Sequence, residues 1–222
     1  MKKIGSIVFV FALATGLAFS TNCSFGNLSG IQGSGTSKTE MRTFTGFKKI
    51  EAGGAINLEV SVQNEFSVEV QADDNLLSNI KMEVNGETLK IYSEDRISPK
   101  TKISVKISLP VIEGLDVSGA SSGNISNVKA NSLDLRASGA SKIKIDGQVK
   151  NLKADASGAS AIDAESLQAE NAEVEASGAS KAAVAATNDL DVNASGASKI
   201  TYIGEPKNIK QNSSGASSVA KK

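Results

Sequence analysis

The tetrapeptide Ser-Gly-Ala-Ser occurs six times in the second half of the chain, around Gly119, Gly139, Gly158, Gly178, Gly196 and Gly215. Successive glycines are 20, 19, 20, 18 and 19 residues apart. A unit recurring at a short, nearly constant period cannot bury its apolar face alone and must stack on its neighbours, so this part of the chain is expected to be a solenoid.

Alignment on the glycine shows what kind. Four residues before it stand Leu115, Leu135, Ala154, Val174, Val192 and Gln211, and two before it stand Val117, Ala137, Ala156, Ala176, Ala194 and Ser213. Two residues after the last Ser of each unit come Gly123, Ile143, Ile162, Ala182, Ile200 and Val219. Apolar residues at every second position describe strands with one buried face. The repeated glycine and the short apolar runs argue against helices, and a leucine-rich repeat would need recurrent Leu and Asn at fixed offsets. The reading is therefore all-β: a single-stranded parallel β-helix with coils of about 19 residues, stacked at about 4.8 Å.

The tetrapeptide has a structural explanation. Gly supplies a positive φ at a corner, Ala suits a narrow interior, and serines in register can exchange hydroxyl hydrogen bonds with their copies in adjacent coils. The six glycines are thus repeat turns. No nucleophilic serine is implied, because the chain has no His to serve as its base. Outward columns run Asp134, Lys153, Glu173, Asp191, Lys210 and Asp116, Arg136, Asp155, Glu175. Opposite charges predominate between neighbours, which favours in-register stacking. Basic residues interrupt these columns and disfavour a calcium site.

Composition removes further chemistry. One Cys cannot form an internal disulfide or a Cys-cluster metal site, and 24 Lys+Arg against 24 Asp+Glu leave no basic footprint for nucleic acid. No cofactor or metal ligand set is expected.

The N-terminus reads as a signal peptide, residues 1–22: Lys2 and Lys3 precede a mainly apolar run from Ile4 to Phe19, too short for a typical membrane span. Two processing routes compete. Ala18-Phe19-Ser20 suits ordinary cleavage, leaving Thr21 first and a periplasmic or secreted soluble protein. Cys23, just past the apolar run and following the imperfect lipobox Ser20-Thr21-Asn22, suits lipid attachment, which is favoured. Residues 23–43, rich in Gly, Ser and Thr without apolar period, are expected to be a flexible tether.

Residues 44–113 lack the tetrapeptide but alternate strongly. Ile56 to Val60 and Phe66 to Val70 read as two strands joined around Gln63-Asn64, Asp73 to Leu77 as a short helical turn, and Asn85-Gly86 as a hairpin turn between 81–84 and 88–92. Larger side chains suggest the thicker end of the same array, followed by the repeats over 114–220.

The runs Phe47-Lys48-Lys49-Ile50, Gly54-Ala55-Ile56-Asn57-Leu58, Asp74-Asn75-Leu76-Leu77, and Leu109-Pro110 leading into Leu115-Asp116-Val117-Ser118-Gly119-Ala120 resemble the GIN domain, described as a putative auto-transporter adhesin head domain. The resemblance covers about residues 44 to 218. It implies an exported right-handed β-helix of bacterial cell envelopes, often behind a lipoprotein-type signal, with no catalytic residues to transfer.

These readings point to a non-catalytic surface interaction module, held to the outer membrane through Cys23 and meeting an envelope or host surface protein or glycan. The alternative is a carbohydrate-binding or carbohydrate-active β-helix, for which Asp134 with Asp155, or Glu173 with Asp191, would supply paired carboxylates. A sensor or scaffold of the envelope is a third class. The last coil has no covering helix, which predicts end-to-end self-association or its prevention by Lys221 and Lys222.

Overall fold

The computed structural model describes residues 30–222. Two N-terminal strands, β1 (Ile31–Gln32) and β2 (Ser37–Arg42), precede a first coil made of β3 (Lys49–Ala52) and β4 (Ile56–Val62). The chain then runs through β5 (Ser67–Asp73), a 3₁₀ turn (Asp74–Asn79), β6 (Ile80–Asn85), β7 (Thr88–Ser93), β8 (Ile97–Ser98) and β9 (Ile103–Leu109), of which β7 and β9 stack in parallel on β3 and β4. The chain goes on to β10 (Gly114–Val117) and continues into long bent strands, β11 (Ser122–Ala137), β12 (Lys142–Ala156), β13 (Ala161–Ala176) and β14 (Lys181–Ala194). β15 (Lys199–Ile203), β16 (Asn208–Ser213) and β17 (Ser218–Lys221) complete it.

The result is a β-solenoid of about five turns. One parallel stack runs β7, β3, β10, the last third of β11, β12, β13 and β14, then β16. The other runs β9, β4, the first third of β11 through β14, then β15 and β17. A short middle run joins them within each long strand. It begins where the register slips, between Ile125 and Val128 and between Lys144 and Asp146. Asn127 (φ 62) and Gly147 (φ 131) mark that bend. A Cβ on Gly147 would lie 2.2 Å from the Val128 carbonyl oxygen, so the bend is closed to any larger residue.

The inward columns are as expected: Leu115, Leu135, Ala154, Val174 and Val192, and beside them Val117, Ala137, Ala156, Ala176 and Ala194, are buried. In the last coil the same columns hold Gln211 and Ser213, which are exposed. The bulkiest buried groups gather at the other end, where Phe47 packs on Phe66 with ring centroids 5.2 Å apart. Residues 44–113 and the repeats share one core and one sheet. Among the described residues no helix is long and apolar enough to cross a membrane.

The N-terminal region departs from expectation or adds to it in three respects. First, residues 31–42 are not tether. β1 pairs with β8, and β2 lies antiparallel to β5. Their order comes from two polar ties that an apolar period cannot reveal. Buried Asp73 accepts the backbone N–H groups of Gly35 (2.8 Å), Lys100 (2.9 Å) and Thr101 (3.1 Å). Arg42 donates from its guanidinium to the carbonyls of Leu77 (2.7 Å) and Ile80. Gly33 abuts the Asp73 carboxylate so closely that a Cβ would sit 2.3 Å from Oδ2. The rest of the proposed tether, residues 23–29, lies with the signal peptide and Cys23 outside the described residues.

Second, β4 and β5 are consecutive but do not pair. β9 lies between them, parallel to β4 and antiparallel to β5. Third, the thick end is a cap containing antiparallel pairs, β2 with β5, β5 with β9 and β6 with β7, and not simply larger coils of the array. The hairpin at Asn85-Gly86 forms as read, with Gly86 at φ 63, and so does the helical turn after Asp73.

Candidate interaction surface

The Ser-Gly-Ala-Ser units form one corner of the solenoid. Their six glycines lie between φ 71 and 73, a region that costs other L-residues roughly 1–2 kcal/mol. They also stack directly: a Cβ on Gly139 or Gly158 would sit 2.8 Å from the carbonyl oxygen of the glycine one coil earlier. Gly54, in the first coil, is a seventh member of this column, since its carbonyl accepts the Ala120 N–H at 2.7 Å just as Gly119 accepts that of Ala140 at 2.8 Å.

The other two residue types behave differently from expectation. The alanines of the motif, such as Ala120, Ala140, Ala159 and Ala179, face outward; the narrow interior is filled by the column two residues before the glycine. The last serines, Ser121, Ser141, Ser160, Ser180 and Ser198, are buried, yet they form no serine ladder. Ser141, Ser160, Ser180 and Ser198 donate to the backbone carbonyls of Val117, Ala137, Ala156 and Ala176, one coil back, at 2.8–3.0 Å. A carbonyl has two lone pairs, and each of these already accepts a backbone N–H, so the hydroxyl completes it.

The face preceding the corner carries the charged columns. Asp134, Lys153, Glu173, Asp191 and Lys210 stack in register. Two of the opposite pairs close within ion-pair distance, Lys153 with Glu173 and Lys210 with Asp191, both at 2.8 Å. The hydrogen bond and charge of Glu173 hold the Lys153 ammonium above its usual range, and Asp191 does the same for Lys210. In the adjacent column Asp116 is pushed up, first by burial and then by Glu51, with Arg136 opposing.

Two residues further from the corner runs an amide ladder. Asn171 donates to Asn151, Asn188 to Asn171 and Asn208 to Asp189, at 2.7–2.9 Å. Its signal in the sequence is the column seven residues before the glycine, Ser132, Asn151, Asn171, Asp189 and Asn208, which the apolar alignment passes over.

Beyond this ladder the surface turns inward into a groove of about 860 Å³ along the solenoid axis. Three successive coils contribute the same pattern, a small residue between two longer polar ones: Lys129-Ala130-Asn131, Gln148-Val149-Lys150 and Gln168-Ala169-Glu170. Sequence reasoning missed this groove as well, although the pattern sits eight to ten residues before the glycine in each coil.

The carboxylate pairs considered for carbohydrate chemistry are placed as follows. Glu173 and Asp191 are register neighbours, but each is engaged by its own lysine. Asp134 is in register with Lys153, and Asp155 with Arg136, so these two acids are offset and each faces a cation. Among the described residues no group of three or more Cys, Asp or Glu side chains converges to hold a metal ion. Lys221 pairs with Glu205, and Lys222 with Glu165 at 2.7 Å. Both C-terminal ammoniums are therefore bound to carboxylates of their own chain.

Solved structures share this fold. A putative adhesin from Bacteroides fragilis superposes with a TM-score of 0.73 at 21% identity, covering 86% of this chain and 100% of its own. A putative adhesin from Parabacteroides distasonis gives 0.56 at 21%, over 86% of this chain and 99% of its own. A putative lipid binding protein from the same species gives 0.51 at 21%, over 86% and 98%. No curated protein matches the sequence. The family model described as "Putative auto-transporter adhesin, head GIN domain" matches residues 46–206, a span that holds the glycine stack from Gly54 to Gly196 and ends just past β15, and the chain belongs to that family.

Proposed function

We propose that the protein is a non-catalytic adhesion module of the bacterial cell envelope, lipid-anchored at Cys23 in the outer membrane. The observation that carries this reading is the construction of its long sides: outward side chains held at coil spacing on a backbone whose ladders, glycine stack and serine bonds leave little freedom. A rigid face of that kind suits contact with an extended partner. Membership of an adhesin-type family supports it, and the engagement of Glu173 and Asp191 by lysines weighs against the carbohydrate-active alternative.

The ordered N-terminal strands sharpen the anchoring reading. From Cys23 to Gly30 is seven residues, at most about 25 Å fully extended. The cap then sits close to the membrane. The stack from β2 to β17 contains ten strands, about 43 Å at about 4.8 Å per step, so the repeats are carried outward.

Mass spectrometry of the mature N-terminus tests the anchor: an acylated Cys23 is expected, and an unmodified Thr21 overturns it. Beads coated with the purified chain test adhesion against bacterial cells, matrix proteins and epithelial glycans. Retention on at least one of these surfaces above an uncoated control is expected; uniform absence overturns the reading.

A further inference from the structure

We infer that the axial groove binds a linear glycan lying along the solenoid. This deepens the adhesion reading, and rests on it, by naming the partner's chemistry. The groove's volume, about 860 Å³, falls within the range of ligand sites. Four of its polar side chains differ from those of the neighbouring ladder in one respect. Asn151, Asn171, Asn188 and Lys153 are bonded to residues of adjacent coils. Among the described residues, the side chains of Gln148, Gln168, Lys129 and Lys150 make no hydrogen bond or ion pair. An amide offers donors and an acceptor in one plane, which matches sugar hydroxyls that both give and receive.

The backbone narrows the choice of partner. Along this run Lys129, Ala130, Gln148 and Val149 pair in parallel register with Gln148, Val149, Gln168 and Ala169. The main-chain groups between β11, β12 and β13 are thus committed to one another; the side of residues 127–133 that faces β4 and β10 has no strand partner, but it lies at one end of the groove, and a chain lying along the axis crosses it and does not join it as a strand. A glycan needs no such edge. Gln148 and Gln168 repeat at about 4.8 Å, close to the length of one pyranose ring, so successive sugars meet equivalent amides. Val149 and Ala169 turn their side chains into the core, so between the flanking polar groups the floor is backbone that rings can approach.

The test is a titration of the full ¹⁵N-labelled chain, purified in detergent, with cellohexaose as a neutral probe and hexagalacturonate as an acidic one. Movement of the Gln148 and Gln168 side-chain amide resonances is expected with at least one of them. Gln148→Ala and Gln168→Ala should each weaken that binding about fivefold, the effect of one lost hydrogen bond. Asn124→Ala, on the opposite run, should not change it. Preference for hexagalacturonate would assign Lys129 and Lys150 a charge-pairing role, and preference for cellohexaose a purely hydroxyl-binding groove. If neither probe moves these resonances, or if binding survives both glutamine substitutions, the inference is overturned. Bead adhesion reads separately: beads that still adhere without glycan binding would leave the adhesion reading standing and remove only this one.

Discussion

The hydroxyl of Ser160 donates to the carbonyl oxygen of Ala137 at 2.8 Å, across the boundary between two coils. That carbonyl also accepts the Ser157 N–H at 2.9 Å, so removing the hydroxyl leaves no buried polar group without a partner. Ser160→Ala should therefore cost only about 1 kcal/mol, the ordinary net value of one hydrogen bond. Urea denaturation would show it as a lower midpoint with an unchanged slope.

Glycines of similar φ should differ sharply in tolerance. Gly46 (φ 80) has open space where a Cβ would stand, whereas Gly158 (φ 71) has the Gly139 carbonyl oxygen 2.8 Å from that point. Gly46→Ala meets backbone strain alone, about 1–2 kcal/mol. Gly158→Ala adds a backbone clash that neither coil can relieve without breaking the stack, and should cost more than about 3 kcal/mol. Thermal melts of the two variants would rank them, and equal losses would contradict the stacking argument.

Asp73 sets an acid limit on the N-terminal strands. Burial opposes its ionisation, but the backbone N–H groups of Thr101, Gly35 and Lys100 outweigh burial and hold the carboxyl below its ordinary value of 3.8. Its contribution is present above that value and is lost as pH falls below it through the folded-state value. Asp73→Asn should be destabilised at neutral pH, because its NH₂ group would face donors, and its urea midpoint should converge on the unsubstituted protein's as acid protonates Asp73. Hydrogen exchange over residues 30–42 would report the same release locally.

Asp116 has the opposite sign. Burial, with Glu51 and Asp155 nearby, raises its carboxyl above 3.8, although Arg136 opposes this. The folded protein binds that proton more tightly than the unfolded chain, so this group's contribution falls as pH rises from 3.8 through the raised value. Asp116→Asn should remove that slope and be at least as stable as the parent near neutrality. Urea midpoints measured over the acid range would check it.

What the sequence discloses about this fold follows from where each constraint is local. The glycine column is legible because positive φ and close stacking act on the same residue, and the core columns because alternation is a property of a single strand. The hairpin at Asn85-Gly86 is legible for the same reason. β2 is not: its six residues are exposed or half-buried, and it is ordered by Asp73 and Arg42, whose partners lie 27 to 38 residues away. Alternation also cannot say which strand lies beside which, so the passage of β9 between β4 and β5 was hidden. The groove escaped notice because its residues are polar, and only alignment over three coils shows that Lys129, Gln148 and Gln168 occupy one position.

The glycine stack has one long gap. Gly54 and Gly119 are adjacent in space but 65 residues apart in sequence, with β5 to β9 of the cap between them, whereas every later pair is separated by 18 to 20 residues. Length is therefore modular on one side of Gly119 only. Duplicating or deleting one unit between Gly119 and Gly215 would preserve each surviving ladder, serine bond and glycine contact, and would change the reach of the body in steps of about 4.8 Å. The cap stays constant while the repeats act as a ruler, so distance from the N-terminal end can be adjusted independently of how that end is folded.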